Sequence, residues 1–145
     1  MLRIDYPEHP FRFKKTDEKE FIFDEFRKSW VRLTPEEWVR QNFLQYLLKG
    51  KQYPASLIAV EKELRLGELK KRFDILVYNQ QHKPWLMVEC KAIGVPLEES
   101  VLMQVLRYNI AVPVDYLVIT NGDYCAGFVK SGIDLQSIDV IPDFG

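Results

Sequence analysis

Two short runs, RFDILVY (Arg72 to Tyr78) and KPWLMVEC (Lys83 to Cys90), constrain this chain more than any other feature. Each is bulky, apolar, bounded by turn residues and too short for a buried helix, so each reads as a strand. The connector NQQHKP suits an antiparallel hairpin. Buried strands avoid charge, yet the first run carries Asp74, and the second ends in Glu89 with Lys91 just beyond it. Side chains alternate along a strand, which puts Glu89 and Lys91 on one face with Met87 and Trp85, their Cα atoms roughly 6.6 Å apart. Leu86, Val88 and Cys90 then face the other way and fill the core. On the first strand, Asp74 shares its face with Leu76 and Tyr78. A hairpin closing around residues 80–83 brings Asp74 and Glu89 to the same end of the two strands.

The flanking elements follow from capping and periodicity. In LTPEEWVRQNFLQYLLKG, Thr34 is an N-cap and Pro35 fits the first helical position. Glu37, three residues after the cap, completes a capping box by turning back onto the Thr34 amide, and Leu33 with Trp38 forms a hydrophobic staple. Val39, Phe43, Tyr46 and Leu47 recur at helical spacing, and Gly50 marks the exit. ASLIAVEKEL predicts a strand, followed by a polar connection around Gly67. LEESVLMQVLRYNIAV predicts a second helix with Val101, Val105 and Tyr108 along one stripe. VDYLVIT is another strand, stopped by the Asn-Gly turn of TNG, and YCAGFVK one more. Before residue 30, FRFKKTDEKEFIFDEF predicts two short strands around a solvated turn. The expected fold is α/β (α+β), a mixed sheet flanked by helices, because each amphipathic helix needs a sheet face to cover. One domain is expected over 1–145, with a core at about 30–130 and a β extension at 1–29.

Composition excludes several classes. No apolar run approaches the roughly 20 residues that span a bilayer, and the N-terminus has no signal-peptide core, so a cytoplasmic protein without a membrane partner is expected. Cys90 and Cys125 lack CxxC spacing and read as reduced core thiols in preference to a disulfide. With only His9 and His82 besides, neither a structural zinc site nor a Ser-His-Asp hydrolase is supported. The net charge of −1 gives no global basic field, so any phosphate site has to be local. ELKKRFD, with Lys70, Lys71 and Arg72, offers one.

Two carboxylates at one end of a hairpin, Asp74 and Glu89, suit a hard cation that takes oxygen ligands, with the Cys90 backbone carbonyl as a further donor. Lys91 then meets a negative group bound to that cation. Asp74 followed by Glu89-Cys90-Lys91 resembles the PD-(D/E)xK nuclease superfamily, with Phe73 where a proline is usual. Gln104 and Tyr108 in QVLRY resemble the QxxxY element of some of its branches. LTPEEWVRQ, KRFDILVY, VECKA, QVLRYN and LVITNG together resemble the N-terminal nuclease domain of type I restriction enzyme R subunits, over about residues 30–125. The resemblance implies a restriction-endonuclease-like fold and a third acid from the first helix. Glu36 is preferred to Glu37, because the capping box already occupies Glu37.

The resemblance implies a Mg²⁺- or Mn²⁺-dependent DNA endonuclease. Asp74, Glu89, Glu36 and the Cys90 carbonyl are the expected metal ligands. Lys91 orients the attacking water or neutralises charge on the phosphate, and Gln104 orients Lys91 or contacts the DNA backbone. Tyr108 braces its helix and is expected beside Lys71 and Arg72 among the nucleic-acid-contacting residues, the two basic residues contacting phosphates without reading bases. No GxxxxGK[ST] loop occurs, so a helicase or other restriction-modification subunit is expected as a separate chain. Double-strand cleavage needs two sites or two events, which allows a homodimer. The alternative is a non-catalytic nucleic-acid-binding or regulatory module of the same fold. A protein-interaction domain is a third and weaker reading. Taken singly, the pieces have plainer readings: a surface ion pair for Glu89 and Lys91, a solvated turn for the basic run, ordinary packing for Gln104 and Tyr108.

Overall fold

The computed structural model describes residues 1–132 and 134–145. Strands β1 (Phe13–Thr16), β2 (Lys19–Asp24) and β3 (Ser29–Arg32) form a small antiparallel sheet. Helix α1 (Pro35–Gln45) follows and ends in a π-helical turn, Tyr46–Gly50. Next come β4 (Ile58–Leu66), β5 (Leu69–Tyr78) and β6 (Pro84–Cys90), then helix α2 (Glu99–Asn109). Strands β7 (Tyr116–Thr120), β8 (Cys125–Ser131) and β9 (Asp134–Ile138) complete the chain. Among the described residues, β4 to β9 make one six-stranded sheet in chain order. Its neighbours are antiparallel except β6 and β7, which are parallel because α2 supplies the crossover between them. The result is the α+β mixed sheet that the order of elements predicts.

Helix α1 begins as its sequence dictates. Thr34 Oγ1 accepts from the Glu37 amide at 3.0 Å, with Pro35 at the start of the helix. The expected return bond from Glu37 is not made, because its carboxylate takes the guanidiniums of Arg27 and Arg40 instead. Val39, Phe43 and Leu47 are buried against Ile75, Val77, Leu86 and Val88, so α1 covers one face of the sheet. On the other face, Phe73, Leu76, Met87 and Leu117 pack with Val112 and Val114 beyond α2. Helix α2 buries Val105 and Asn109, while Tyr108 is 61% exposed. The stripe expected through Val101 and Tyr108 is therefore rotated by about one residue, and partly buried Leu102 and Leu106 flank it instead.

Sheet alternation fails at two places, both at strand irregularities. Val77 pairs with Leu86 but Tyr78 pairs with Pro84, so Trp85 is the extra residue of a bulge. It consequently packs with Leu86 and Val88, touching Tyr53, Tyr116 and Phe144, and does not join Met87 as strict alternation predicts. At the other end of β5, Phe73 rather than Asp74 joins the cluster of Leu76 and Tyr78. Opposite this point Glu61 has a φ of +54°, and the β4–β5 ladder skips the Glu61–Asp74 pair. Asp74 is thereby released from the face assigned to it.

Three further differences are local. Residues 55–57 form a 3₁₀ turn ahead of β4, and β3 and β9 are strands that short polar runs concealed. Cys90 and Cys125 are buried and free. Each pairs with Thr120 from opposite sides, so β7 separates them by two strand spacings, roughly 9–10 Å. That exceeds the reach of a disulfide. No described helix is long and apolar enough to cross a membrane.

The TNG turn does more than end β7. Asn121 Oδ1 accepts from the amides of Asp123 and Tyr124, and its Nδ2 donates to the Val95 carbonyl, tying the turn to the loop after β6. Gly122 sits at φ +94°, where an added Cβ would lie 3.2 Å from Val39 and 3.3 Å from Ile93. Gly122→Ala is expected to cost about 1–3 kcal/mol in denaturant unfolding. Gly67→Ala, in a left-handed turn with open space around it, is expected to cost about 1 kcal/mol at most. Equal losses would mean that the close approach to α1 carries no energy.

Candidate active site

The β5–β6 ladder runs from Tyr78 and Pro84 down to Ile75 and Val88 and then opens. Below that point, Asp74 supplies by side chain what the backbone no longer provides: its Oδ2 accepts from the Cys90 amide at 2.8 Å. In an extended strand the N–H and C=O of one residue point the same way, so the Cys90 carbonyl also faces the opened gap. Lys91 is held on the other side, its amide donating to the Thr120 carbonyl at 2.7 Å. Backbone pairing thus fixes where Glu89, Cys90 and Lys91 leave the sheet.

Arg40 of α1 reaches into this opening. Its Nη2 lies 2.6 Å from Asp74 Oδ1, 2.8 Å from Glu61 and 4.0 Å from Glu36, while Nη1 contacts Glu37 at 2.7 Å. Burial pulls the guanidinium's proton affinity down, but Glu37, Asp74 and Glu61 outweigh burial and raise it. Glu37 is also bound by Arg27 through two hydrogen bonds, and Arg27 by Asp24, which also accepts from Gln41 and from the Phe26 and Arg27 amides. This network docks the β1–β3 sheet onto the start of α1.

The site residues expected from sequence distribute as follows. Glu89 is mostly buried; burial first, then Asp74 beside it, push its carboxyl up to about 7. Glu36 is half exposed, its carboxyl raised by partial burial and by Asp74, with Arg40 and Lys91 acting the other way. Lys91 is close enough to favour the charged forms of both acids, yet it makes no ion pair within 4.0 Å among the described residues. Asp74, Glu89, Glu36 and Lys91 therefore share one electrostatic neighbourhood. An open cleft of about 580 Å³ borders it, lined by Arg32, Glu36, Glu37, Arg40, Glu61 and Ala92 among others.

The remaining candidates lie apart. Gln104 is exposed on α2, and its side chain makes no hydrogen bond among the described residues. Lys71 is buried, its ammonium 4.2 Å from the centroid of the exposed Tyr108 ring, which clips α2 to β5. Arg72 is exposed and pairs with Glu61 at 3.1 Å. Sequence reasoning missed Arg40 and Glu61. Arg40 follows Glu36 by four residues and Glu37 by three, and that helical spacing was a usable signal for the arginine. Nothing local marked Glu61, whose role depends on a left-handed backbone within a strand.

As a donor set, the site fits a divalent cation in part. Neighbouring carboxylates disfavour one another's ionised forms, and a hard cation relieves that repulsion. No compact group of three acidic, histidine or cysteine side chains stands ready among the described residues, and one Asp74 oxygen is held by Arg40.

The sequence pattern of the type I restriction enzyme R protein N terminus matches residues 35–142, from the start of α1 to beyond β9. The chain belongs to that family. No curated relative matches it. The R-protein match takes in the opened hairpin and both helices but leaves out β1–β3, although Arg27 ties that small sheet to Glu37 inside the matched region.

Two outcomes follow for this R-protein N-terminal domain. The folded Glu89 carboxyl holds its proton to about pH 7, against an ordinary value of 4.5. Between those values the native state binds more protons than the unfolded one, so stability from this group is greatest at low pH and falls as pH rises through about 7. Glu89→Gln is expected to stabilise the metal-free protein by about 1–3 kcal/mol at pH 8 and by little at pH 5. A gain equal at both pH values would refute the titration. Arg40→Met leaves Glu37, Glu61 and Asp74 without their shared cation and is expected to cost about 3–5 kcal/mol at pH 7.5. The loss should shrink at pH 5, where carboxylates neutralise more readily, and a pH-independent loss would point to packing alone.

Proposed function

We propose that this domain is a metal-dependent DNA endonuclease of the PD-(D/E)xK type, hydrolysing phosphodiester bonds with Mg²⁺ or Mn²⁺. The observation that carries the reading is the opening of the hairpin at Asp74 and Glu89, with unpaired Lys91 at its mouth. Such an arrangement is costly as a purely structural element: it buries an acid beside another acid and leaves a strand end unpaired. Its restriction-enzyme family supports a DNA substrate and restriction-modification partners.

Asp74, Glu89, the Cys90 carbonyl and Glu36 are the residues that would hold the cation. When bound, it would supply Lewis-acid polarisation of the scissile phosphate and acidify a coordinated water. The chain's own contribution is positional. Lys91, with no carboxylate bound to it, is free to donate to a non-bridging phosphate oxygen as negative charge grows there, or to orient the attacking water. Asp74 is anchored through one oxygen by the Cys90 amide and through the other by Arg40, which fixes its carboxylate plane at the opening. Glu89 holds a proton near neutral pH in the free protein and must release it to act as a ligand.

One observation favours a second reading, a non-catalytic nucleic-acid-binding module of the same fold. Arg40 already neutralises Asp74 from within the chain, at 2.6 Å, and does not need a metal to do so.

The two readings separate in a cleavage assay on supercoiled plasmid and single-stranded DNA with Mg²⁺, Mn²⁺ or chelator. Cutting is expected only with metal, with a drop of at least 100-fold in Lys91→Ala and in Asp74→Asn, on the scale of losing an electrostatic stabiliser. Absence of cutting on every substrate, together with metal-independent binding, would establish the non-catalytic module.

A further inference from the structure

The small sheet carries a face that neither the hairpin site nor the family match accounts for. Ile22 and Asp24 of β2 are fully buried toward α1, so Phe21 and Phe23, which alternate with them, face outward. Strand pairing sets Lys14 and Arg32 on either side of Phe21. One step along, Phe23 pairs with Trp30 and donates its backbone N–H to the Arg12 carbonyl. Two rows thus cross three strands: Lys14–Phe21–Arg32 and Arg12–Phe23–Trp30.

Cations and rings are in contact throughout. The Arg12 guanidinium lies 4.7 Å from the Phe23 centroid and 5.4 Å from that of Trp30. The Lys14 ammonium lies 4.7 Å from Trp30 and 5.8 Å from Phe21, and the Arg32 guanidinium 5.8 Å from Phe21. Lys19 extends the same face, and no Asp or Glu alternates onto it within these strands. None of the four cations enters an ion pair among the described residues. A chain of net charge −1 has here segregated unpaired positive charge around half-exposed aromatic rings.

We propose that this face binds single-stranded nucleic acid, with phosphates on Arg12, Lys14 and Arg32 and bases stacked on Trp30 and Phe23. Interleaved cations and rings are what an unpaired strand requires: charge along its backbone and flat surfaces for its bases. A duplex hides its base faces and gains only the charge. The covering side chains are long and exposed, so they can swing from ring to phosphate and free the ring faces for stacking. Arg32 also lines the acidic cleft beside Glu36 and Arg40, so a strand held on the sheet runs toward the hairpin site. The binding itself needs no cleavage.

The test is fluorescence anisotropy of a labelled oligo-dT and of a duplex of equal length, in chelator at 50 mM salt. Oligo-dT is expected to bind at least 5-fold tighter than duplex, with affinity falling as salt rises at a log–log slope of about −2 for three phosphates. Arg12→Ser/Lys14→Ser/Arg32→Ser should weaken binding at least 10-fold and flatten that slope. Trp30→Leu, which keeps apolar bulk in the sheet, should weaken oligo-dT at least 5-fold and leave the slope unchanged. If Trp30→Leu unfolds the small sheet, Arg12→Ser alone, an exposed change, should still weaken binding about 3-fold. No binding to oligo-dT, unchanged binding in the variants, or equal binding of duplex and heparin would each overturn the proposal, as would binding only to anionic vesicles. Because chelator abolishes metal-dependent cutting, a failed cleavage assay with intact oligo-dT binding would defeat the nuclease reading alone. Cutting without oligo-dT binding would defeat only this one.

Discussion

The geometry of the site depends on one buried guanidinium. Arg40 projects from the first turns of α1 and meets carboxylates from three elements: Glu37 on its own helix, Glu61 on β4 and Asp74 on β5. Each pairing alone would barely offset the cost of desolvating the charges, and a well-packed hydrophobic cluster would hold α1 to the sheet as firmly. Packing through Val39, Phe43 and Leu47 already does so. What apolar packing cannot do is select one rotation and one height of the helix against the opened hairpin. Directional hydrogen bonds from a planar group with fixed donors can. Arg40 therefore belongs to the specificity of the arrangement more than to its stability. The unpaired, buried Nε of the same side chain indicates that the arrangement is not the best that stability alone would choose.

The opening beneath Arg40 has its own local cause. Glu61 adopts a left-handed backbone in mid-strand, a conformation that an L residue with a long side chain avoids. Its consequence is that β4 and β5 fail to pair at Asp74, while β5 and β6 have already parted above Glu89. A regular ladder would have consumed the Cys90 amide and carbonyl in backbone hydrogen bonds and turned Asp74 toward the apolar cluster of Leu76. The broken one gives the amide to the Asp74 carboxylate and leaves the carbonyl facing the gap. Strain at one acid thus creates the donor geometry around another.

These two causes explain what could be read from the chain. RFDILVY and KPWLMVEC declare a hairpin because apolar runs bounded by turn residues have few alternatives, and α1 is announced by Thr34 and Pro35. Register, however, depends on loop closure, and the bulge that turns Trp85 inward toward Tyr53 has no signature in the run itself. Glu37 looked like a capping residue because the local partner, the Thr34 amide, was the one visible in sequence; its real partners are Arg27 and Arg40. Strand β3 was hidden for a related reason: SWVR is too short to show alternation, and its stability comes from pairing with β2. Tertiary ion pairs and bulges are decided by neighbours distant in sequence, which is why the elements were legible and the finer site geometry was not.

The near-zero net charge, which in sequence argued against a nucleic-acid protein, loses that force once charge is placed in space. Beyond about 10 Å at ordinary ionic strength, exposed charges scarcely sense one another, so a binding partner responds to patches and not to totals. Here the acids gather at the hairpin mouth, where Asp74, Glu89, Glu36 and Glu61 lie around Arg40 and Lys91. Arg12, Lys14 and Arg32, with no ion pair among the described residues, gather on the outward face of β1–β3. A polyanion would be repelled by the first region unless a cation were bound there, and attracted by the second without one. The two regions are joined at Arg32, which stacks on Phe21 and also borders the acidic cleft. On the proposed reading, an anionic strand can be held by the small sheet in the absence of metal yet is admitted to the hairpin only when metal has neutralised it. Segregation of charge, with no change in its sum, then separates binding from chemistry within one small chain.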